Sequence, residues 1–139
     1  MEIINNSPEE FAFAIKGLLA AIRDSISNRF YLNIDYSNLY VPSPVIGYRN
    51  IAPSALGINR VSGNLVLRAY LIRGISYSIR ENISKNQWRL FLVSRISAFG
   101  TSSNKFGPLP LYRLNDKSMS IIREQLQFTS DDDYDWFEI

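Results

Sequence analysis

The stretch WRLFLVSRI, Trp88 to Ile96, alternates with a period of two: Trp88, Leu90, Leu92 and Ile96 form one apolar set, while Arg89, Phe91, Val93 and Arg95 face the other way. Such alternation predicts a strand with Trp88, Leu90, Leu92 and Ile96 toward the core, and leaves two arginines and an aromatic ring on the second face. A matching stretch lies upstream. After the Ser62-Gly63-Asn64 turn, LVLRAYL places Leu65, Leu67, Ala69 and Leu71 on one face and Val66, Arg68 and Tyr70 on the other. The two stretches are joined by a Ser- and Asn-rich connection from Gly74 to Gln87, so they are expected to pair as a long-looped hairpin. Pairing would set Arg68 and Tyr70 beside Arg89, Phe91 and Arg95.

Working outward, Phe30, Leu32, Ile34 and Tyr36 alternate with Tyr31, Asn33 and Asp35, which predicts a first strand. Residues 42–53 hold three prolines and a glycine and read as a loop or irregular edge, with a strand over about Tyr48 to Leu56. Upstream, Ser7-Pro8-Glu9-Glu10 is a capping box with proline at the first helical position. Phe11, Ile15, Leu18, Leu19, Ile22 and Ile26 then recur every three or four residues, predicting a helix over 8–28 with one apolar stripe toward the core. Residues 100–113 are turn-rich. Beyond them Asn115 or Asp116 can cap a second helix, 115–128, with Met119, Ile122 and Leu126 on one face. The expected fold is α+β and mainly β: one domain over 1–128, in which residues 30–113 form a small barrel or a strongly twisted antiparallel sheet flanked by an N-terminal and a C-terminal helix. The last eleven residues, TSDDDYDWFEI, read as an acidic, flexible tail.

The composition narrows the chemistry. The 139 residues include no Cys and no His, which removes disulfides, thiolate or imidazole metal sites, cysteine nucleophiles and histidine bases. The middle of the chain holds only Asp35 and Glu81 as carboxylates, so no acid–base pair is placed there. No enzyme, metal or cofactor is expected. Nor is a membrane span, because no apolar run approaches the roughly 18 residues that crossing needs, and the N-terminus lacks the pattern of a signal peptide. A cytoplasmic location is expected. The net charge of +2 hides a segregation: residues 29–113 carry eleven basic and two acidic side chains, a net of +9, against −2 before them and −5 after. A basic block of this kind, with arginines interleaved by aromatics, suits a single-stranded nucleic acid or a nucleotide, since guanidinium forks bind phosphate and rings stack on bases. The acidic tail offers Trp136 and Phe137 to a protein partner, and on that alternative the domain is a scaffold for docking. Exposed strand edges are compatible with a homo-oligomer.

Taken in order, AAIRDSISNRFYLNIDY, YRNIAP, GNLVLRAY, the GIS turn and WRLFLVSRI resemble the WYL domain over residues 15–113, with Phe106, Tyr112 and Met119 fitting a downstream extension. The resemblance implies an Sm-like, SH3-type β-barrel with a ligand-sensing or nucleic-acid-binding role, of the kind found in bacterial transcription regulators and in the control of phage defence. Carried over position by position, it implies a ligand pocket drawn from Tyr36, Arg49, Arg68, Tyr70, Ser76, Arg89, Phe91 and Arg95. Leu65-Val66-Leu67 stands where the family's naming Trp-Tyr-Leu would be, and Ala52 where an acidic residue often precedes the proline. The 28 residues before the first strand leave no room for the usual winged helix, so a stand-alone regulatory or phage-related module is expected.

Overall fold

A computed structural model describes residues 2–3, 8–38, 45–74 and 87–127. Helix α1 runs from Pro8 to Asn28, as the capping pattern and apolar period predict. It buries Leu18, Ile22 and Ile26 completely, with Ala21 and Ser25 between them, and leaves Lys16, Arg23 and Asp24 in solvent. Each fully buried leucine or isoleucine contributes about 1.5–3 kcal/mol, so this one stripe is enough to hold the helix on the sheet. No described helix is long and apolar enough to cross a membrane.

The rest is mainly β. Strands β1 (Glu2–Ile3), β2 (Phe30–Asn38), β3 (Val45–Asn59), β4 (Leu65–Gly74), β5 (Trp88–Leu92), β6 (Ile96–Lys105) and β7 (Met119–Gln125) form one antiparallel sheet in the order β1-β6-β2-β3-β4-β5, with β7 also paired to β3. The sheet is open. Strands β5 and β6 lie far apart on this path, yet only the 3-10 turn Val93–Arg95 joins them, so the sheet must curve to bring its distant strands together. The Tyr36 hydroxyl on β2 reaches across that curve and accepts the Leu92 N–H of β5 at 2.9 Å. A core of Leu32, Ile34, Ile51, Leu56, Leu67, Phe91, Val93, Ile96 and Phe99 fills the interior with the helix stripe.

The structure corrects several expectations. Residues 42–53 are not simply a loop, because β3 begins at Val45 and runs through Pro53. On one edge β3 pairs with β2 up to Ile51, and on the same edge it pairs with β7 from Ala55 onward. Pro53, which has no N–H to donate, stands in the gap between the two partners, and Ser54 is an extra residue relative to β4. The predicted helix over 115–128 is the strand β7, and it carries two register shifts against β3, one skipping Ser120 and one skipping Arg123. Those two extra residues fall between Met119 and Ile122 on β7 and between Ile122 and Leu126 just beyond it, which produces the spacing of three and four. The turn-rich stretch 100–113 begins instead as the second half of β6, which continues to Lys105.

The opening stretch is also divided: β5 ends at Leu92, and Val93 to Arg95 form the 3-10 turn. Its pairing with Leu65–Leu71 is present, but the register places Phe91 opposite Leu67 and Arg89 opposite Ala69. Directly opposed residues share a face, so within β5 the expected core set is inverted, while Ile96, beyond the turn, is buried as expected. Phe91 and Val93 are buried, whereas Leu90 is exposed and Trp88 and Leu92 are half-buried.

Close approach of β7 to β3 depends on Gly57. A Cβ at this position would collide with the Ile121 carbonyl and lie 2.7 Å from the Met119 Sδ. Gly57→Ala is therefore expected to push β7 off β3 and destabilise the fold by about 2–3 kcal/mol, a fall in Tm of roughly 5–15 °C. Gly100→Ala, with open space around its Cβ, should change stability by less than about 0.5 kcal/mol. Thermal melts of the two variants, followed by circular dichroism, check the contrast.

Candidate ligand cavity

The register that inverts β5 also separates the arginines. Arg68 stands opposite Leu90, on the face shared with Tyr70 and Trp88, while Arg89 points the other way beside Phe91. The sheet therefore does not bring Arg68 and Tyr70 onto one surface with Arg89, Phe91 and Arg95. Phe91 is in the core, edge-on to Tyr36 with ring centroids 4.9 Å apart. Tyr36 is itself buried, and the buried Arg49 guanidinium lies 5.8 Å from its ring centroid in a cation–π contact. Arg89 folds back along its own strand, Nη1 donating to the Trp88 carbonyl at 2.9 Å. Arg95 is half-buried in the 3-10 turn. Ser76 lies outside the described residues.

Two of the expected residues, Arg68 and Tyr70, do lie at or beside a cavity of about 280 Å³. Its floor is the bulged part of β3, Ser54 and Ala55; one wall is Arg68 on β4 with Trp88 on β5; the other is the loop that returns from β6 to β7, from Leu111 to Lys117. Tyr70 stands behind Trp88, edge-on at 5.3 Å. The indole is fixed from its other end by Nε1, which donates to the Pro110 carbonyl at 2.7 Å.

At the polar end of the cavity the Arg68 Nε donates to the Asp116 Oδ2 at 2.7 Å, and its Nη2 donates to the Ser118 Oγ at 3.2 Å. The second carboxylate oxygen of Asp116 accepts from the Ser118 Oγ at 2.6 Å and from the Ser118 backbone N–H at 2.9 Å. Burial alone would raise the Asp116 carboxyl. Hydrogen bonds from the Arg68 and Ser118 side chains and the Ser118 N–H, with the Arg68 charge, outweigh it and hold the group below its ordinary 3.8. Tyr112 behaves oppositely: burial, helped by the nearby Asp116 charge, pushes its phenol far above the ordinary range, so it is a neutral donor at any physiological pH. That hydroxyl donates to the Leu126 carbonyl at 2.5 Å.

The rim is apolar and basic. Leu111 and Leu114 are 59% and 40% exposed, well above what their size would favour, and Arg113 and Lys117 project into solvent beside them. Leu111 is held at φ 58° and Asn115 at φ 59°. Asparagine tolerates the left-handed region, but for leucine it costs about 1–2 kcal/mol, a strain that clusters at binding loops. Sequence reasoning missed this loop because Asn115-Asp116 reads equally well as a helix cap. The signal available was Asp-Lys-Ser, where an aspartate two residues before a serine can accept its N–H in a local turn. Among the described residues no group of three or more His, Cys, Asp or Glu is placed to hold a metal ion.

Comparison of the chain with protein-family models, with curated proteins and with solved structures finds no match.

The depressed Asp116 group ties stability to pH. Because its folded value lies below 3.8, the unfolded chain binds the proton more readily, and the ion pair's contribution is complete above about pH 4 and lost as pH falls through the folded value. Asp116→Asn should cost about 1–2 kcal/mol at neutral pH, discounted for the pair's partial exposure. Its stability should also fall less steeply than that of the parent between pH 4 and pH 2, as read by urea denaturation at each pH.

Proposed function

We propose that this chain is a non-enzymatic, WYL-like binding module whose ligand is a single nucleotide or a comparable planar anion seated in the cavity between β4, β5 and the 107–118 loop. The observation that carries the reading is the juxtaposition, around one concavity, of an immobilised indole, a fixed arginine and two exposed cations. Trp88 offers aromatic surface to a ring. Arg68 commits Nε to Asp116 and Nη2 to Ser118, which aims the guanidinium and leaves Nη1 to meet an anionic oxygen. Arg113 and Lys117 supply further positive charge at the mouth.

The volume favours a mononucleotide over a polymer. At about 280 Å³ the cavity is near the lower end of small-molecule sites, which run from roughly 300 to 1,000 Å³, a size that suits one nucleotide better than a length of strand. The separation of Arg68 from Arg89 points the same way, since it removes the continuous basic strand surface that a single strand of nucleic acid would follow. The competing reading, a protein-docking module, draws on the exposed Leu111 and Leu114, which a partner could cover.

Calorimetric titration with nucleoside mono- and diphosphates, beside oligonucleotides of increasing length, separates these readings. Saturable one-site binding that is indifferent to oligonucleotide length is expected, together with at least a tenfold loss, about 1.4 kcal/mol, in Arg113→Ala/Lys117→Ala with the Tm unchanged. Affinity that climbs with length and collapses with salt would replace the mononucleotide by a polymer. No binding of either at low salt would overturn both.

A further inference from the structure

We propose that Leu111 is a specificity-determining residue of this cavity, an apolar contact set beside the Trp88 indole that selects ligands by the flat ring they carry and not by their phosphate, an assignment that rests on the binding reading above. The first ground is the turn that presents it. In the run Leu109-Pro110-Leu111-Tyr112 the outer two side chains are buried in the core, so the turn at Pro110-Leu111 lifts only its two central residues to the surface. Proline followed by a positive φ, here 58° at Leu111, is the pattern of a type II turn, whose second central residue is ordinarily glycine or asparagine. Elsewhere the chain meets the same demand in that way, with Asn115 at φ 59° in this loop and Gly63 at φ 74° in another turn. At 111 it carries a leucine that is 59% exposed, so burial does not offset the cost of the backbone conformation. Leu114 shares the rim without that strain. Leucine at 111 therefore weakens the turn, and what it adds is an isobutyl group at the mouth of a cavity.

The second ground is what stands beside it. Trp88 Nε1 donates to the Pro110 carbonyl at 2.7 Å, and that carbonyl belongs to the peptide group that enters Leu111. On the other side the Tyr112 ring lies 6.1 Å from the indole, centroid to centroid, and its hydroxyl donates to the Leu126 carbonyl. Leu111 is thereby fixed between two anchored neighbours, and it lines the same cavity as Trp88. An aromatic ring that rests on the indole meets an apolar side chain already in place, and both contacts remove apolar surface from water. The polar side chains nearby are engaged within the protein: the Arg68 Nε with Asp116, and Asn115 with Gln125 by reciprocal bonds. Few polar atoms remain to tell one phosphate compound from another, so the ring makes the difference.

Calorimetric titration of the full-length chain with adenosine monophosphate and with ribose phosphate tests the assignment. The parent is expected to bind the nucleotide about tenfold or more tightly than ribose phosphate. Leu111→Asn, which suits the turn and removes the apolar surface, should weaken adenosine monophosphate about tenfold and leave ribose phosphate unchanged, while its Tm holds or rises by up to about 5 °C. Leu111→Gly should have the same effect on the two ligands, and Leu111→Met should keep the parent's preference. Adenosine monophosphate affinity that is equal in the parent and in the Asn and Gly variants overturns the proposal and leaves the binding reading standing. So does an equal loss for both ligands, which would make Leu111 a residue that only shapes the loop, and so does a fall in Tm in both variants, which would make it a packing residue. A parent that binds neither compound at low salt removes the binding reading and the specificity role together.

Discussion

The bend of β3 at Pro53-Ser54 is the constraint on which the rest depends. A fifteen-residue strand cannot keep two different neighbours on one edge unless its ladder is interrupted between them, and proline supplies that interruption by lacking the N–H that a continuous partner would demand. The interruption frees polar groups, and three hydrogen bonds tie this region to its neighbours. The Ser54 carbonyl accepts from Leu126, the Ser54 hydroxyl donates to the Arg68 carbonyl at 3.1 Å, and the Leu126 carbonyl accepts from Tyr112. Each such bond contributes about 1 kcal/mol, but leaving its buried partner unmet would cost about 1–3 kcal/mol. The bulge, the end of β7 and the cavity loop therefore stand or fall together.

The same geometry decides what the basic charge can do. Summed over residues 29–113 it is +9, yet that sum overstates the field available to a ligand. Arg49 is buried against the Tyr36 ring, Arg89 turns along β5, and Arg68 is neutralised in place by Asp116, which belongs to the acidic end of the chain. Arginines that look alike in sequence thus divide into those that shape the interior and those that face solvent. The division is made by strand register: one residue of slip between β4 and β5 would return Arg68 and Arg89 to a common face.

How much of this was legible follows from where the signals were single-valued. Pro8 to Asn28 was readable because a capping box and a 3.6 period agree, and β2 and β4 because apolar and polar residues alternate cleanly. WRLFL was ambiguous in its facing, since Trp88, Leu90 and Leu92 compete with Phe91 and Val93, and a strand with apolar residues on both sides does not say which side is the core. The register against Leu67 decided it. Residues 119–126 were misread because two bulges on a strand counterfeit the three- and four-residue spacing of a helix. Within the site, Arg68 and Tyr70 were found on β4, but Trp88 was assigned to the core, and the loop residues Leu111, Arg113 and Lys117 carried no periodic signal at all. Their positions are set by tertiary hydrogen bonds between residues far apart in sequence.

Those bonds make the cavity an asymmetric device. Its loop is fastened at Pro110 by Trp88, at Tyr112 by Leu126, at Asn115 by reciprocal bonds with Gln125, at Asp116 by Arg68, and at Lys117 and Ser118 by Arg60, whose Nε donates to the Lys117 carbonyl and whose N–H donates to that of Ser118. A loop held at so many points has already lost its conformational entropy on folding, so a ligand does not have to order it. The side chains excluded from this fastening are the outward ones, Leu111, Arg113, Leu114 and Lys117. On the binding reading proposed above, shape discrimination would reside in the pinned wall and the Trp88 indole, and attraction in the rim.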